Sequence, residues 1–176
     1  MLKKLLIAFI ISSNLFAMEF VNSKQQTPLM LTCLKGQTDV AKSLIEQGVE
    51  LNEIDNEGAT ALMLAIRSQH FDIAKLLIDS GANIHIKDKA GITALMWASM
   101  GGSTDIVQLL IDKGANALDQ DNNGQTATSW AKHFNFNNKN KQVIEMLLLV
   151  SIPFHEQPAV EKNIEASMFQ KSCSMM

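Results

Sequence analysis

Apolar and polar positions along this chain fall into a pattern that returns every 33 residues. Thr27, Thr60, Thr93 and Thr126 keep that spacing, and the first three each open an apolar word: Thr-Pro-Leu-Met, then Thr-Ala-Leu-Met twice. The same period aligns Asp39 with Asp72 and Asp105, and the pair Leu44-Ile45 with Leu77-Ile78 and Leu110-Ile111. It also aligns Gly48, Gly81 and Gly114, then Asp55, Asp88 and Asp121, then Gly58, Gly91 and Gly124. Each unit predicts the same elements. The threonine caps a short helix by accepting a bond from a free first-turn N–H, and Pro28 stands where its missing N–H is harmless. A tight turn leads to a second helix, Phe71 to Asp79 in the second copy, whose Ile73, Leu76 and Leu77 share one face. Gly81 ends it in a left-handed conformation. The polar stretch from Asn83 to Thr93 reads as an extended loop or hairpin. One unit cannot bury its apolar stripe alone, so stacked copies must share a core.

These residues resemble the ankyrin repeat, whose unit opens with a Thr-Pro-Leu-His word and continues as two antiparallel helices and a projecting β-hairpin. The Gly-Ala-Asn of residues 81–83 and 114–116 is similar to the exit of that family's second helix. The resemblance implies an all-α repeat solenoid of four helix-turn-helix repeats with short β-hairpin loops, at about residues 22–54, 55–87, 88–120 and 121–150 within a domain over 18–150. The sequence departs from the family in three places. Met30, Met63, Met96 and Ser129 replace its histidine, so that side chain's bond to the loop is absent. The glycine closing the first helix is kept as Gly36 and Gly102 but becomes Gln69 and Asn135, and Gln69 predicts local strain of about 1 kcal/mol. The fourth copy matches the third at an offset of 37, which places four extra residues in 133–141, an Asn-rich stretch read as a surface loop.

The chain's two ends drop the period. Residues 1–17 carry Lys3 and Lys4, an apolar run from Leu5 to Ile11 and then Leu15-Phe16-Ala17, the order of a bacterial-style signal peptide. A membrane anchor is the alternative, but Ser12, Ser13 and Asn14 interrupt the roughly 20 apolar residues a spanning helix needs. The tail, 151–176, has Pro153 and Pro158, then Val160, Ile164 and Met168 at helical spacing. It is either a helix capping the fourth repeat or a disordered tail.

Composition narrows the function. The chain has 176 residues, is 47% hydrophobic and 19% charged, and carries a net charge of −3. Without the two signal lysines, 13 bases face 18 acids, a net of −5. That balance does not point to nucleic acid or anionic lipid. Cys33 and Cys173 cannot build a disulfide framework or a four-ligand zinc site. His70, His85, His133 and His155 stand in no metal-ligand spacing, and the repeated methionines lie a repeat apart, too far to share an ion. Asp55, Asp88 and Asp121 suit turn bonding. No catalytic residue, metal or cofactor is expected.

The resemblance implies that partners bind along a concave side formed by hairpin tips and inner-helix ends. Those columns vary here, as positions free of packing constraint do. At the helix ends stand Lys35, Arg67, Ser68, Met100, His133 and Phe134. At the hairpins stand Ile54, Asn56, Glu57, Lys87, Lys89, Ile92, Gln120, Asn122 and Gln125. Each alone also reads as an ordinary solvent position; together they have the mixture of a protein interface. The sequence therefore predicts a non-catalytic, monomeric, exported module, periplasmic or secreted, that binds another protein, in its most concrete form a protector or inhibitor of an exported enzyme. The alternatives are a secreted effector that binds host proteins and, third, an enzyme with a site near His133.

Overall fold

The computed structural model describes residues 24–134 and 140–151, and all structural statements below concern them. The predicted signal, the tail with His155 and Cys173, and Asn135 lie outside that range. Helices alternate between two layers. The inner layer holds α1 (Pro28–Lys35), α3 (Ala61–Arg67), α5 (Ala94–Gly101) and α7 (Ala127–His133), and the outer layer holds α2 (Thr38–Glu46), α4 (Phe71–Asp79), α6 (Thr104–Asp112) and α8 (Lys141–Ser151). Each inner helix packs on the next inner helix and on the outer helix of its own repeat, which makes a linear stack.

The local chemistry is the one the period predicts. Each threonine hydroxyl accepts the N3 amide of its helix, from Met30, Met63 and Met96 at 3.3 Å and from Ser129 at 3.4 Å. Such a cap contributes about 1 kcal/mol. The methionines at the family's histidine column do part of the missing work. Met30 Sδ accepts the Thr27 N–H at 3.4 Å and Met96 Sδ the Thr93 N–H at 3.5 Å, so a weak sulfur acceptor closes the capping box. The first three outer helices lack side-chain caps; Asp39, Asp72 and Asp105 instead place a carboxylate in the first turn, against the positive end of the helix dipole.

The turn between helices repeats as well. Gln37, His70 and Ser103 each donate their N–H to a carbonyl five residues back, on Thr32, Ala65 and Ala98. This turn needs a left-handed residue, and Gly36 and Gly102 supply it at φ 68°. Gln69 adopts it at φ 62°, the strain its sequence position predicts.

One core runs through the stack, with Leu29, Leu62 and Leu95 on the inner helices and Leu44, Leu77, Leu110 and Leu147 on the outer ones. Cys33 is fully buried in it, and burial pushes its thiol up to about 12 against a small lowering by the Thr32 hydroxyl, so it stays protonated. Two side chains buckle successive repeats. His70 Nε2 lies 3.3 Å from the Leu34 carbonyl, its ring seated over Gly36. Two repeats later, at the position the four extra residues shift, Asn140 Nδ2 donates to the carbonyls of Met100 at 3.3 Å and Ala131 at 3.1 Å. Asn140 is only 1% exposed, which corrects its placement in a surface loop: the extra residues precede it, and it belongs to the framework.

The expected β-hairpins are reduced to turns. Single antiparallel bridges join Ile54 to Thr60 and Lys87 to Thr93, and no longer strand forms among the described residues.

Candidate functional site

The loops that project beside the inner helices are built by the aspartate column. Asp55 Oδ1 accepts the N–H groups of Glu57 and Ala59, both at 2.9 Å. Asp88 does the same for Ala90 and Ile92, and Asp121 for Asn123 and Gln125. These carboxylates are structural acceptors turned into their own loops. Consecutive tips are then joined by backbone, with Lys89 N–H donating to Glu57 at 3.0 Å and Asn122 N–H to Ala90 at 2.9 Å. The Asn122 side chain adds a second link, its Nδ2 donating to the Lys89 carbonyl at 2.9 Å. The tips form a tied edge along the stack.

Beside that edge, side chains from all four repeats make a continuous row. Lys24 Nζ meets Glu57 Oε1 at 2.9 Å, and Glu57 Oε2 lies 3.9 Å from Arg67 Nη1. The Arg67 guanidinium sits over the Trp97 ring, 5.6 Å from its centroid. Trp97 and Trp130 are 5.8 Å apart at a tilt of 58°, Trp130 and Phe134 stack at 5.6 Å, and His133 meets Phe134 edge-on at 5.0 Å. The Trp130 indole donates to Asp121 Oδ2 at 3.0 Å, which pins the row to the fourth loop. Burial pushes the Asp121 carboxyl up, but the bonds from Gln125, Trp130 and Asn123 together hold it below its usual value. Trp97, Trp130, Arg67 and Phe134 are all half-buried, each with one side held and one side open.

Of the expected contact residues, Glu57, Arg67, His133 and Phe134 come together in this row. Lys35, Ile54, Asn56, Lys87, Lys89, Gln120, Asn122 and Gln125 are exposed along the same layer of inner-helix ends and loops, and Ser68 and Met100 are half-buried helix ends. Lys87 Nζ is engaged, donating to the Gln120 carbonyl at 3.1 Å and lying 3.7 Å from Asp119. Ile92 is a correction. It is 8% exposed because its backbone closes the third loop on Asp88 and its side chain joins the core, as Ala59 does one repeat earlier. The two tryptophans were missed by sequence reasoning. They share one column with Leu31 and Leu64, which reads as packing; the signal was the change from leucine to an indole too large to be covered there.

Nothing in this arrangement resembles a catalytic constellation. His133 contacts an aromatic ring, and among the described residues no three His, Cys, Asp or Glu side chains gather as a metal-binding group. None of the described helices is long and apolar enough to cross a membrane.

A family model for ankyrin repeats, three copies long, matches residues 2–88 and 80–155. The chain belongs to the ankyrin-repeat family. Among curated proteins none matches its sequence. Ankyrin repeats are protein–protein interaction modules, typically without catalysis.

Proposed function

We propose that this ankyrin-repeat protein is exported and holds another protein against the row formed by Arg67, Trp97, Trp130 and Phe134, with no chemistry of its own. In its most concrete form it protects or inhibits an exported enzyme. The observation that carries the binding reading is the row itself. Four large side chains from three repeats stand half-exposed yet already fixed by ring contacts, a cation–π contact and an indole hydrogen bond. Arg and Trp are the side chains that most often anchor protein interfaces. Fixing them beforehand removes an ordering cost of about 0.5–1.5 kcal/mol per side chain from binding. The export reading rests on residues 1–17, whose order of charge, apolar run and small residue is that of a signal.

One set of proteins tests both halves. Exported material should begin near Met18 by N-terminal sequencing; an intact Met1 in the membrane fraction overturns export. Recovery outside the cell rather than in the periplasm would move the reading toward an effector. Crosslinking in the exporting compartment should trap a partner with the parent chain and with Lys75→Ala or Gln108→Ala on the outer helices. Arg67→Ala and Trp97→Ala should lose it while remaining folded. The opposite pattern places the site on the outer helices.

A further inference from the structure

We infer that the segment held on this face is acidic and carries an aromatic anchor. The inference rests on the protein-binding reading and deepens it, and its source is the distribution of charge. The chain's overall balance is acidic, yet its two layers differ. The inner helices carry Lys35, Arg67 and Lys132 and no carboxylate. The outer helices carry seven acidic side chains against three lysines. Packed helices lie about 8–10 Å apart, close to the roughly 8 Å over which physiological salt screens a charge. A ligand on the inner face therefore meets the local sign, not the net one.

The loop tips beside those helices carry both signs, with Lys24, Lys87 and Lys89 against Asp55, Glu57, Asp88 and Asp121, but their carboxylates are engaged. Asp55, Asp88 and Asp121 each spend a carboxylate oxygen on two backbone N–H groups of their own turn. The Glu57 carboxylate that faces outward is tied to Lys24 at 2.9 Å. Its 3.9 Å approach to Arg67 is long for a charged hydrogen bond, which closes at about 2.7–2.9 Å. Arg67, fixed over Trp97, thus presents a guanidinium fork suited to an incoming carboxylate. Lys35, Lys89 and Lys132 are exposed around the same layer. A basic segment laid along the row would face these cations at close range. An acidic one complements them, and its aromatic side chain extends the stack that Trp97, Trp130 and Phe134 begin.

The test is selection from a random-peptide display library on the immobilised full chain, followed by titration of the selected peptides against variants. The expected result is enrichment of Asp or Glu with Phe, Tyr or Trp. Affinity should weaken with added salt, fall about thirtyfold in Trp97→Ala as for a true anchor, and fall about tenfold in the Lys35→Glu, Lys132→Glu double variant, where each reversal removes an attraction and adds a repulsion. Trp97→Phe, which keeps a ring at the site, guards against misfolding and should retain most of the binding. Enrichment of basic or uncharged proline-rich peptides that still lose binding in Trp97→Ala overturns the acidic partner and leaves the face standing. Peptides indifferent to Trp97→Ala, or no enrichment at all, overturn both.

Discussion

Alanine at Gly91 should cost the protein markedly more stability than alanine at Gly124, although both glycines sit at the same place in their loops. Both have left-handed backbones, φ 78° and 73°. An L-residue there costs about 1–2 kcal/mol, partly offset by the roughly 0.4–1 kcal/mol that a Gly-to-Ala change gains by restricting the unfolded chain. Gly124→Ala therefore loses about 1 kcal/mol, within a range of roughly 0 to 1.6, since nothing lies within 4 Å of a Cβ built there. At Gly91 the new Cβ meets Asn122 Oδ1 at 2.7 Å, the Asn122 backbone nitrogen at 2.9 Å and Asp121 Cα at 3.1 Å. Backbone cannot rotate away as a side chain can, so the fourth loop must move. That movement strains two links between tips, the Asn122 N–H to Ala90 and the Asn122 amide to Lys89, both 2.9 Å. Each is worth about 0.5–1.5 kcal/mol, which brings Gly91→Ala to about 2–4 kcal/mol in all. Urea denaturation of the two variants beside the parent measures the difference. Equal losses would mean that the loops do not stack as closely as described, and the tied edge that frames the proposed binding face would go with them.

Two further outcomes follow from the core and from the pinned aspartate. Leu77 is fully buried between adjacent repeats, and Leu77→Ala should cost about 2–5 kcal/mol with the loss spreading to neighbouring repeats; a change under about 1 kcal/mol in denaturation would refute the packing of α4. Asp121 has a lowered carboxyl pKa in the folded chain, so the stability it contributes is complete above the unfolded value of about 3.9 and is lost as pH falls through the folded value. Acid titration of stability should therefore be shallower in Asp121→Asn than in the parent, and an unchanged slope would show that the bonds from Gln125, Trp130 and Asn123 together do not favour the ionised carboxylate.

Most of the fold was legible because stacking imposes identical demands on each copy. A capping threonine, a leucine on the outer helix or a glycine at φ near 80° meets the same neighbours one repeat later, so it recurs at 33 and announces itself. Gln69 was legible for the same reason: a departure in a column with a known backbone need predicts strain at that residue. The insert was read less well. Its length follows from the shift of the period from 33 to 37, but counting cannot say which residues are extra. Asn140 looked like one more asparagine of a polar loop. Its role depends on reaching the carbonyls of Met100 and Ala131, a contact between repeats that only the folded stack brings within 3.3 Å.

The site was harder because variation in a column is an imperfect sign of exposure. Ala59, Ile92 and Gln125 differ as freely as interface residues do, yet the first two are buried, since each lies under the loop that follows it; Gln125 lies in the last loop, where nothing crowds Gly124, and is exposed. The Leu31, Leu64, Trp97 and Trp130 column fails in the other direction. Its uniform apolarity suggests core, and Leu64 is indeed fully buried, although Leu31 at the end of the stack is only half-buried. An indole is larger than the space that buries a leucine, so from Trp97 onward the same column pushes a ring edge into the open beside Arg67 and Phe134. A side chain whose size or charge exceeds what its framework position can cover stays open in a stacked array, whether or not its column varies. Arg67, Trp97, Trp130 and Phe134 meet that criterion together, and they touch one another, which is why the row rather than any single residue carries the functional reading.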